Sequence, residues 1–372
     1  MKKLRINNTL LLLFFIINTI ITSYTSYAMD AQKIKMPAQH IVFLPNNILA
    51  IASPESLIVY DLNNNKQIKE KKLPHPVDDI AINKTRSRLG LSCRGYVKQY
   101  NTETLKSCGE FFSPSGVFIP IAFNSQKNNQ LVIHASCPGT SESRLFFLDG
   151  SGSIGTYKRD MWTCITCHPH KAKIIYISSC GKYQRFCSRP IPTTCAQDIT
   201  ISNNKGYHAL EYQYSPNAHY ALINQQDSGL HFQKPEEQLP STSRLITCKC
   251  NANSHGTFLQ FPSAIFHPNS NFFATLSHEC VLEYWDCETV LNADTQPSCI
   301  KPYHSTSLYK KDTFFNRYAL EKRLSFSPDG THLAIALPDK CLILPVPTGI
   351  IISSFDSELQ KTILLLLSIK NK

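Results

Sequence analysis

A short apolar stretch that ends in a three-residue anchor recurs seven times along this chain. The clearest copy is Leu324-Ser325-Phe326-Ser327-Pro328-Asp329-Gly330, followed by the apolar run Leu333-Ala334-Ile335-Ala336-Leu337. The anchors are Phe43-Leu44-Pro45, Ile82-Asn83-Lys84, Phe123-Asn124-Ser125, Cys167-His168-Pro169, Tyr214-Ser215-Pro216, Phe266-His267-Pro268 and Phe326-Ser327-Pro328. Their third positions lie 39, 41, 44, 47, 52 and 60 residues apart. A period of this length constrains the fold more than composition does, because each copy is one supersecondary unit that cannot bury its faces alone.

Each anchor leads into a second apolar run, such as Ile48-Leu49-Ala50-Ile51-Ala52 or Phe272-Phe273-Ala274-Thr275-Leu276. Near-continuous apolar runs of this length suit strands buried on both faces. The Pro-Asn-Asn, Pro-Asn-Ser and Pro-Asp-Gly steps between the runs have hairpin chemistry, since Pro fixes φ and Asn or Gly tolerates positive φ. A third strand then ends in Tyr60-Asp61, Tyr100-Asn101, Leu148-Asp149, Phe186-Cys187, Phe232-Gln233, Trp285-Asp286 or Leu344-Pro345. The Asp or Asn of these pairs is placed to hydrogen-bond the following turn. A fourth strand shows in some copies, for instance Gly349-Ile350-Ile351-Ile352-Ser353. Seven copies in phase predict an all-β chain, a seven-bladed β-propeller of four-stranded antiparallel blades, because a closed ring buries the faces and leaves only short edges.

The pattern resembles the WD-repeat family of β-propellers over almost the whole chain after residue 28. Trp285-Asp286, Phe266-His267-Pro268 and Phe326-Ser327-Pro328-Asp329-Gly330 carry the resemblance. The chain departs from that family in lacking the Gly-His dipeptide that opens many of its repeats. The Ser-Pro-Asp-Gly turn is also similar to repeats of periplasmic propellers of the Tol system, which are usually six-bladed. The resemblance implies protein or peptide partners.

Residues 1–28 read as a secretory signal peptide. Met1-Lys2-Lys3-Leu4-Arg5 is basic, Leu10 to Ile21 is apolar, and Ser26-Tyr27-Ala28 offers small residues for cleavage. The apolar run is shorter than the roughly 20 residues a bilayer span needs, and no later segment has the length of an integral membrane span. The domain reading is therefore a signal at 1–28, a propeller at 29–356, and a C-terminal helical tail at 357–372 with Ser357 as N-cap. Export, periplasmic or secreted, together with 14 cysteines permits disulfide bonds. The formal net charge is +11, and removing Lys2, Lys3 and Arg5 with the signal leaves +8. The densest basic run, Lys66-Gln67-Ile68-Lys69-Glu70-Lys71-Lys72, reads as a solvated loop rather than a nucleic-acid patch, so nucleic acid is not an expected partner. Two polar insertions, 234–262 and 288–322, separate the later repeats. Each is either loop decoration or a binding surface at the rim.

Candidate chemistry is sparse. Cys164-Ile165-Thr166-Cys167-His168 matches the C-x-x-C-H pattern of haem attachment. However, Cys167-His168-Pro169 occupies the repeat anchor, where Phe266-His267-Pro268 also has a His, and residues three apart on a strand point to opposite faces. A zinc site would draw on Cys164, Cys167, Cys180, Cys187, His168 or His170, with no recognised ligand spacing. Cys180–Cys187 and Cys280–Cys287 each stand at the ends of a predicted third strand, too far apart for a disulfide to one another. Cys248-Lys249-Cys250 places two thiols on one face of an extended segment. No G-x-S-x-G, H-E-x-x-H or phosphate loop is present. No catalytic, cofactor-binding or metal residue is therefore singled out, and no cofactor is expected. The expected function is an exported, non-catalytic propeller scaffold for protein–protein interaction. The alternative is a propeller enzyme or ligand-binding protein with its site in the central channel.

Overall fold

The computed structural model describes residues 31–112, 121–125, 127, 129–136, 142–148, 153–158, 161–171, 173–180, 183–190, 199–203, 209–225, 229–235, 244–246, 263–277, 280–292, 302–308 and 322–347. These residues form seven antiparallel sheets of four strands each. The inner strands, one per sheet, are His40–Phe43, Asp79–Ile82, Ile121–Phe123, Met161–Cys167, Ala209–Tyr214, Ser263–Phe266 and Leu324–Phe326. We number the sheets one to seven in that order. In the first six, strands two, three and four follow in chain order.

The repeated anchor has a physical explanation. Its first residue ends the inner strand, and its second residue is at most 4 % exposed in all seven copies. A buried polar group there needs partners, and it finds them in the hairpin turn that follows. Asn83 Oδ1 accepts from Arg88 N at 2.9 Å, and Asn124 Nδ2 donates to Gln130 Oε1 at 2.7 Å. His168 Nδ1 accepts from His170 N and Lys171 N at 3.0 and 3.1 Å. Ser215 Oγ accepts from Tyr220 N, and Ser327 Oγ from His332 N, both at 2.9 Å. His267 Nδ1 accepts from Asn269 N at 3.3 Å. The first copy has the apolar Leu44. Its turn relies on Asn46 and Asn47, at φ 61° and 57°, the pair of left-handed residues that a two-residue hairpin demands.

The third-strand pairs also behave as expected at several positions. Asp61 Oδ1 accepts from Asn63 N and Asn64 N, and Asn101 Oδ1 accepts from Glu103 N and Thr104 N. Asp286 Oδ1 accepts from Thr289 N at 2.6 Å and so caps a helix, Cys287–Asn292, that the repeat did not predict. Asp149 lies outside the described residues. Trp285 is buried against Phe273, and its Nε1 donates to Thr275 Oγ1 at 3.0 Å. Burying a side chain of this kind contributes roughly 2–3 kcal/mol or more through area alone.

The expectation of a seven-bladed β-propeller with a short C-terminal helix is corrected. The seventh sheet is composite: its outer strand is Gln32–Ile34 from the N-terminal side, paired with Cys341–Pro345 in the register Gln32↔Ile343, Lys33↔Leu342 and Ile34↔Cys341. The expected outer strand at 349–353 and the tail at 357–372 lie outside the described residues. Described apolar core clusters occupy five seams: sheets one–two, two–three, five–six, six–seven and seven–one. A uniform apolar seam repeated seven times is therefore not what the described side chains form.

Three local readings also change. The basic run Lys66–Lys72 is the outer strand of sheet one, not a loop. Its Lys residues fit an edge, where charge discourages pairing with a further strand; Lys71 Nζ also lies 4.8 Å from the Tyr100 ring centroid. Phe186-Cys187 falls inside the strand Tyr183–Pro190 rather than at its end, and Cys180 closes the preceding strand. The stretches 234–262 and 288–322 are not pure insertions. They hold the fourth strands of sheets five and six, Arg244–Ile246 and His304–Ser307. Among the described residues no helix is long and apolar enough to cross a membrane.

Candidate functional site: a channel mouth ringed by linked turns

The inner strands of all seven sheets line one cavity of about 630 Å³, within the range of roughly 300–1,000 Å³ typical of ligand sites. Its walls are mainly apolar, with Ile41, Ile80, Ile121, Ile165, Ile265 and Leu324 among them. Since every inner strand runs the same way along the channel, the two mouths differ in chemistry.

At the mouth where inner strands begin, polar groups tie four sheets together. Asp79 Oδ1 lies 2.9 Å from Lys322 Nζ, and its Oδ2 accepts from Ile121 N at 3.0 Å. Lys322 Nζ also donates to Ile80 O at 2.6 Å. His40 Nδ1 accepts from Lys322 N at 3.0 Å, so its other nitrogen carries the proton and donates to Val77 O at 3.1 Å. Burial lowers the His40 pKa to about 4, against the attraction of Asp79, and the ring is neutral in the folded protein. All of these charges are committed to the scaffold.

At the opposite mouth stand the seven hairpin turns, and contacts made by turns and neighbouring strand residues link each sheet to the next. Arg86 donates to Phe43 O at 2.5 Å, joining sheets one and two, and Gln99 Nε2 donates to Asn129 O at 3.0 Å, joining two and three. Ser125 Oγ donates to His168 O, joining three and four. The His168 and Tyr214 rings pack at 4.8 Å between four and five. Asn217 N donates to Ser270 Oγ at 3.0 Å between five and six, and His267 Nε2 bonds Gly330 O at 2.9 Å between six and seven. Phe43 N donates to Ser325 Oγ at 2.9 Å, which closes the circuit from seven to one. A face whose sheets are tied to one another in this way loses little freedom when it binds.

The charge at this mouth is one-sided. Lys84 and Arg86 line the cavity, Lys84, Lys127, His170 and Lys171 are exposed, and Asp329 is the single acid in the seven turns. Asp329 is occupied: Oδ1 accepts from Ser327 Oγ at 2.6 Å and from Thr331 N and Oγ1 at 3.0 and 2.8 Å. Burial pulls its pKa up, but these hydrogen bonds prevail and hold it below the usual value. Burial lowers the Arg86 pKa, opposed by nearby Asp329. The sequence contains the signal for this patch, in that basic residues stand in or just after the anchors of three successive repeats. Reading the anchors for strand boundaries passes over it.

The described members of the metal and haem motifs have structural places. Cys164 and Cys167 lie on one strand, paired with Ile177 and Ile174, and Cys167 lines the channel. Burial raises the Cys167 pKa to about 12. His168 is the buried turn cap described above, His170 is exposed, and the side chains of Cys164, Cys180 and Cys187 lie outside the described residues. Among the described residues no group of three or more His, Cys, Asp or Glu is placed to hold a metal. Cys93, Cys108, Cys167, Cys287 and Cys341 are free thiols. Cys280 and Cys287 bracket the third strand Val281–Asp286, as read from their spacing. Cys248 and Cys250 lie outside the described residues.

No family model and no curated protein matches the chain. Among solved structures, the beta-propeller domain of Myceliophteria thermophila Cps50 (Swd1) matches with a TM-score of 0.62 at 12% identity, covering 86% of this chain and 100% of that domain. At that identity the likeness shows the fold alone, and the fold is an all-β propeller.

Proposed function

We propose that the chain is an exported β-propeller that acts as a non-catalytic scaffold and binds a protein or peptide partner on the face bearing the linked hairpin turns. The observation that carries this reading is the closed circuit of contacts, made by turns and neighbouring strand residues, that joins the seven sheets around the channel mouth. Loops held by a rigid scaffold are where recognition concentrates. The propeller fold is consistent with such a role without specifying it, because fold and function are separable. Export rests on the character of residues 1–28 alone.

The test is affinity capture of the full chain from its native envelope or medium, with crosslinks mapped by mass spectrometry. Reproducible crosslinks at residues 84–87, 125–130, 168–171 and 216–220 are expected. Absence of any reproducible partner, together with turnover in a hydrolase or oxidoreductase screen, sinks the scaffold reading. The cavity volume supports a second reading, a small-molecule site in the channel. A thermal-shift screen in which a compound raises the melting temperature and protects Cys167 from alkylation would favour it.

A further inference from the structure

We propose that the partner element received by the turn face is an extended acidic peptide segment whose carboxylates meet Lys84, Arg86 and Lys127 and whose apolar side chain enters the channel mouth. This rests on the scaffold reading and specifies the chemistry of its partner. Charge complementarity carries it. The seven turns contain Lys84, Arg86, Lys127 and Lys171 against the single acid Asp329, and the four bases fall on three neighbouring turns. Asp329 is already saturated by Ser327 and Thr331, so it offers little to an incoming cation. Among the described residues, the other acids of this face, Asp61, Glu103, Asp286 and Glu288, lie at the ends of third strands or in the connections that follow them, away from the channel.

The bases at the two mouths are used differently. Lys322 is held by Asp79 and the Ile80 carbonyl, where inner strands begin. Lys84 and Lys127 are exposed at the turn mouth. Arg86 spends one nitrogen on the Phe43 carbonyl, which fixes the guanidinium at the cavity wall near Asp329; a guanidinium has further donors with which to meet a carboxylate. The apolar component comes from the inner-strand ends. Ile82, Phe123, Cys167, Phe266 and Phe326 all line the cavity next to these turns. A basic rim around an apolar opening matches a peptide with acidic residues flanking one large apolar side chain, and the rigid turns reduce the ordering cost of binding. A nucleic-acid strand or an anionic membrane shares the charge but makes different use of the opening, since a lipid surface binds an extended apolar face and a nucleic-acid strand binds a row of stacking platforms rather than one opening.

The probe is a fluorescein-labelled decapeptide of Glu and Gly residues around one central Phe, compared with its Gln counterpart by fluorescence anisotropy on the full chain. The Glu peptide is expected to bind at least about tenfold tighter than the Gln peptide at low salt, with the difference shrinking as the Debye length falls to about 3 Å near 1 M. Lys84→Glu combined with Lys127→Glu should abolish the preference, and the milder pair Lys84→Gln and Lys127→Gln should reduce it. Lys35→Glu, an exposed change in a segment between sheets, should leave it intact. Equal affinity for the two peptides overturns the proposal, as does a preference that survives the charge reversal in a variant with native circular dichroism. Tighter, Lys84-dependent binding of a single-stranded DNA 20-mer or of phosphatidylserine vesicles overturns it in favour of those ligands. If the reversed variant still captures the native partner with unchanged turn-face crosslinks, the acidic-segment proposal fails while the scaffold reading stands. If neither form captures a partner, the scaffold reading fails first.

Discussion

His267 and Gly330 meet across the seam between the sixth and seventh sheets. The His267 Nε2 bonds the Gly330 carbonyl at 2.9 Å, and a Cβ placed on residue 330 would overlap that same ring. Gly330 also sits at φ +73°, a left-handed conformation that costs other residues about 1–2 kcal/mol. The glycine of the Pro-Asp-Gly turn therefore serves two needs at once, the turn and the approach of the neighbouring histidine. Gly330→Ala should destabilise the protein by about 2–4 kcal/mol, strain and overlap adding. In His267→Ala the overlap is gone, so the second substitution should cost less there than in the parent. Urea unfolding of both single variants and the double variant reads the coupling; strictly additive costs would show that the histidine contact does not require the glycine.

The buried His40 makes stability depend on pH. Its folded pKa is lowered to about 4, first by burial, while the ordinary value is 6.5. Between these values the unfolded chain binds a proton that the folded chain refuses, so stability rises with pH through the window. The contribution is fully present above about pH 6.5 and is lost as pH falls toward 4, at about 1.4 kcal/mol per unit. A His40→Asn variant should be less stable at pH 7 and should lose less of its stability between pH 7 and 5 than the parent. Identical slopes in the two proteins, measured by urea melts, would remove His40 from the account.

The buried thiols give a prediction about reactivity. Cys93 and Cys341 are free and buried, and burial pushes each pKa up to about 12. Cys287 is likewise buried, with its pKa raised by burial and by Asp286 and Glu288. Cys108 is exposed on the outer strand Ser107–Phe112, beside the Arg88 guanidinium. Thiolate availability and access govern labelling. With a disulfide-exchange reagent at pH 8, Cys108 should label within the mixing time and Cys93, Cys287 and Cys341 only on unfolding. Mass spectrometry identifies each site. Rapid native labelling of Cys93 would contradict its place in the core.

The anchors were readable in sequence because each places three constraints on adjacent residues: an apolar strand end, a buried turn cap, and a Pro, Asn or Gly that shapes the hairpin. The same logic assigned His168 to the repeat rather than to haem, and its Nδ1 caps the turn as His267 does. Pairing between the chain's two ends was not readable. Gln32-Lys33-Ile34 is short and carries no turn signal, and its partner lies at Cys341–Pro345, so only the three-dimensional ring brings them together. The outer strands Lys66–Lys72 and His304–Ser307 were missed for a related reason. They face solvent, so their residues lack the apolar pattern that marks inner strands. The candidate site was half visible: Lys84, Arg86 and Lys127 stand in or just after two successive anchors, but that they converge on one mouth depends on the ring.

Closure of the ring by Gln32–Ile34 sets the last prediction. Ile34 is 4 % exposed and lies opposite Cys341 on the adjoining strand. It belongs to the apolar cluster that joins sheets seven and one, with Ile41, Leu49 and Ile343. If this three-residue strand latches the ring, weakening it opens that seam before the others, because each sheet of a ring contacts only its neighbours. Ile34→Asp places an unpaired charge in the seam and should cost about 3 kcal/mol or more. Ile34→Ala keeps the strand and should cost about 2–4 kcal/mol. The distinguishing measurement is the labelling rate of two buried thiols in the Ile34→Ala protein. Cys341, opposite the weakened strand, should become reactive at least about tenfold faster, as a local opening that costs 1.4 kcal/mol less would allow. Cys93, in the cluster between sheets one and two, should keep the parent rate. If both thiols accelerate together, the N-terminal strand supports the whole ring cooperatively; if neither does, the seam is closed by other contacts and the latch is not where the pairing places it.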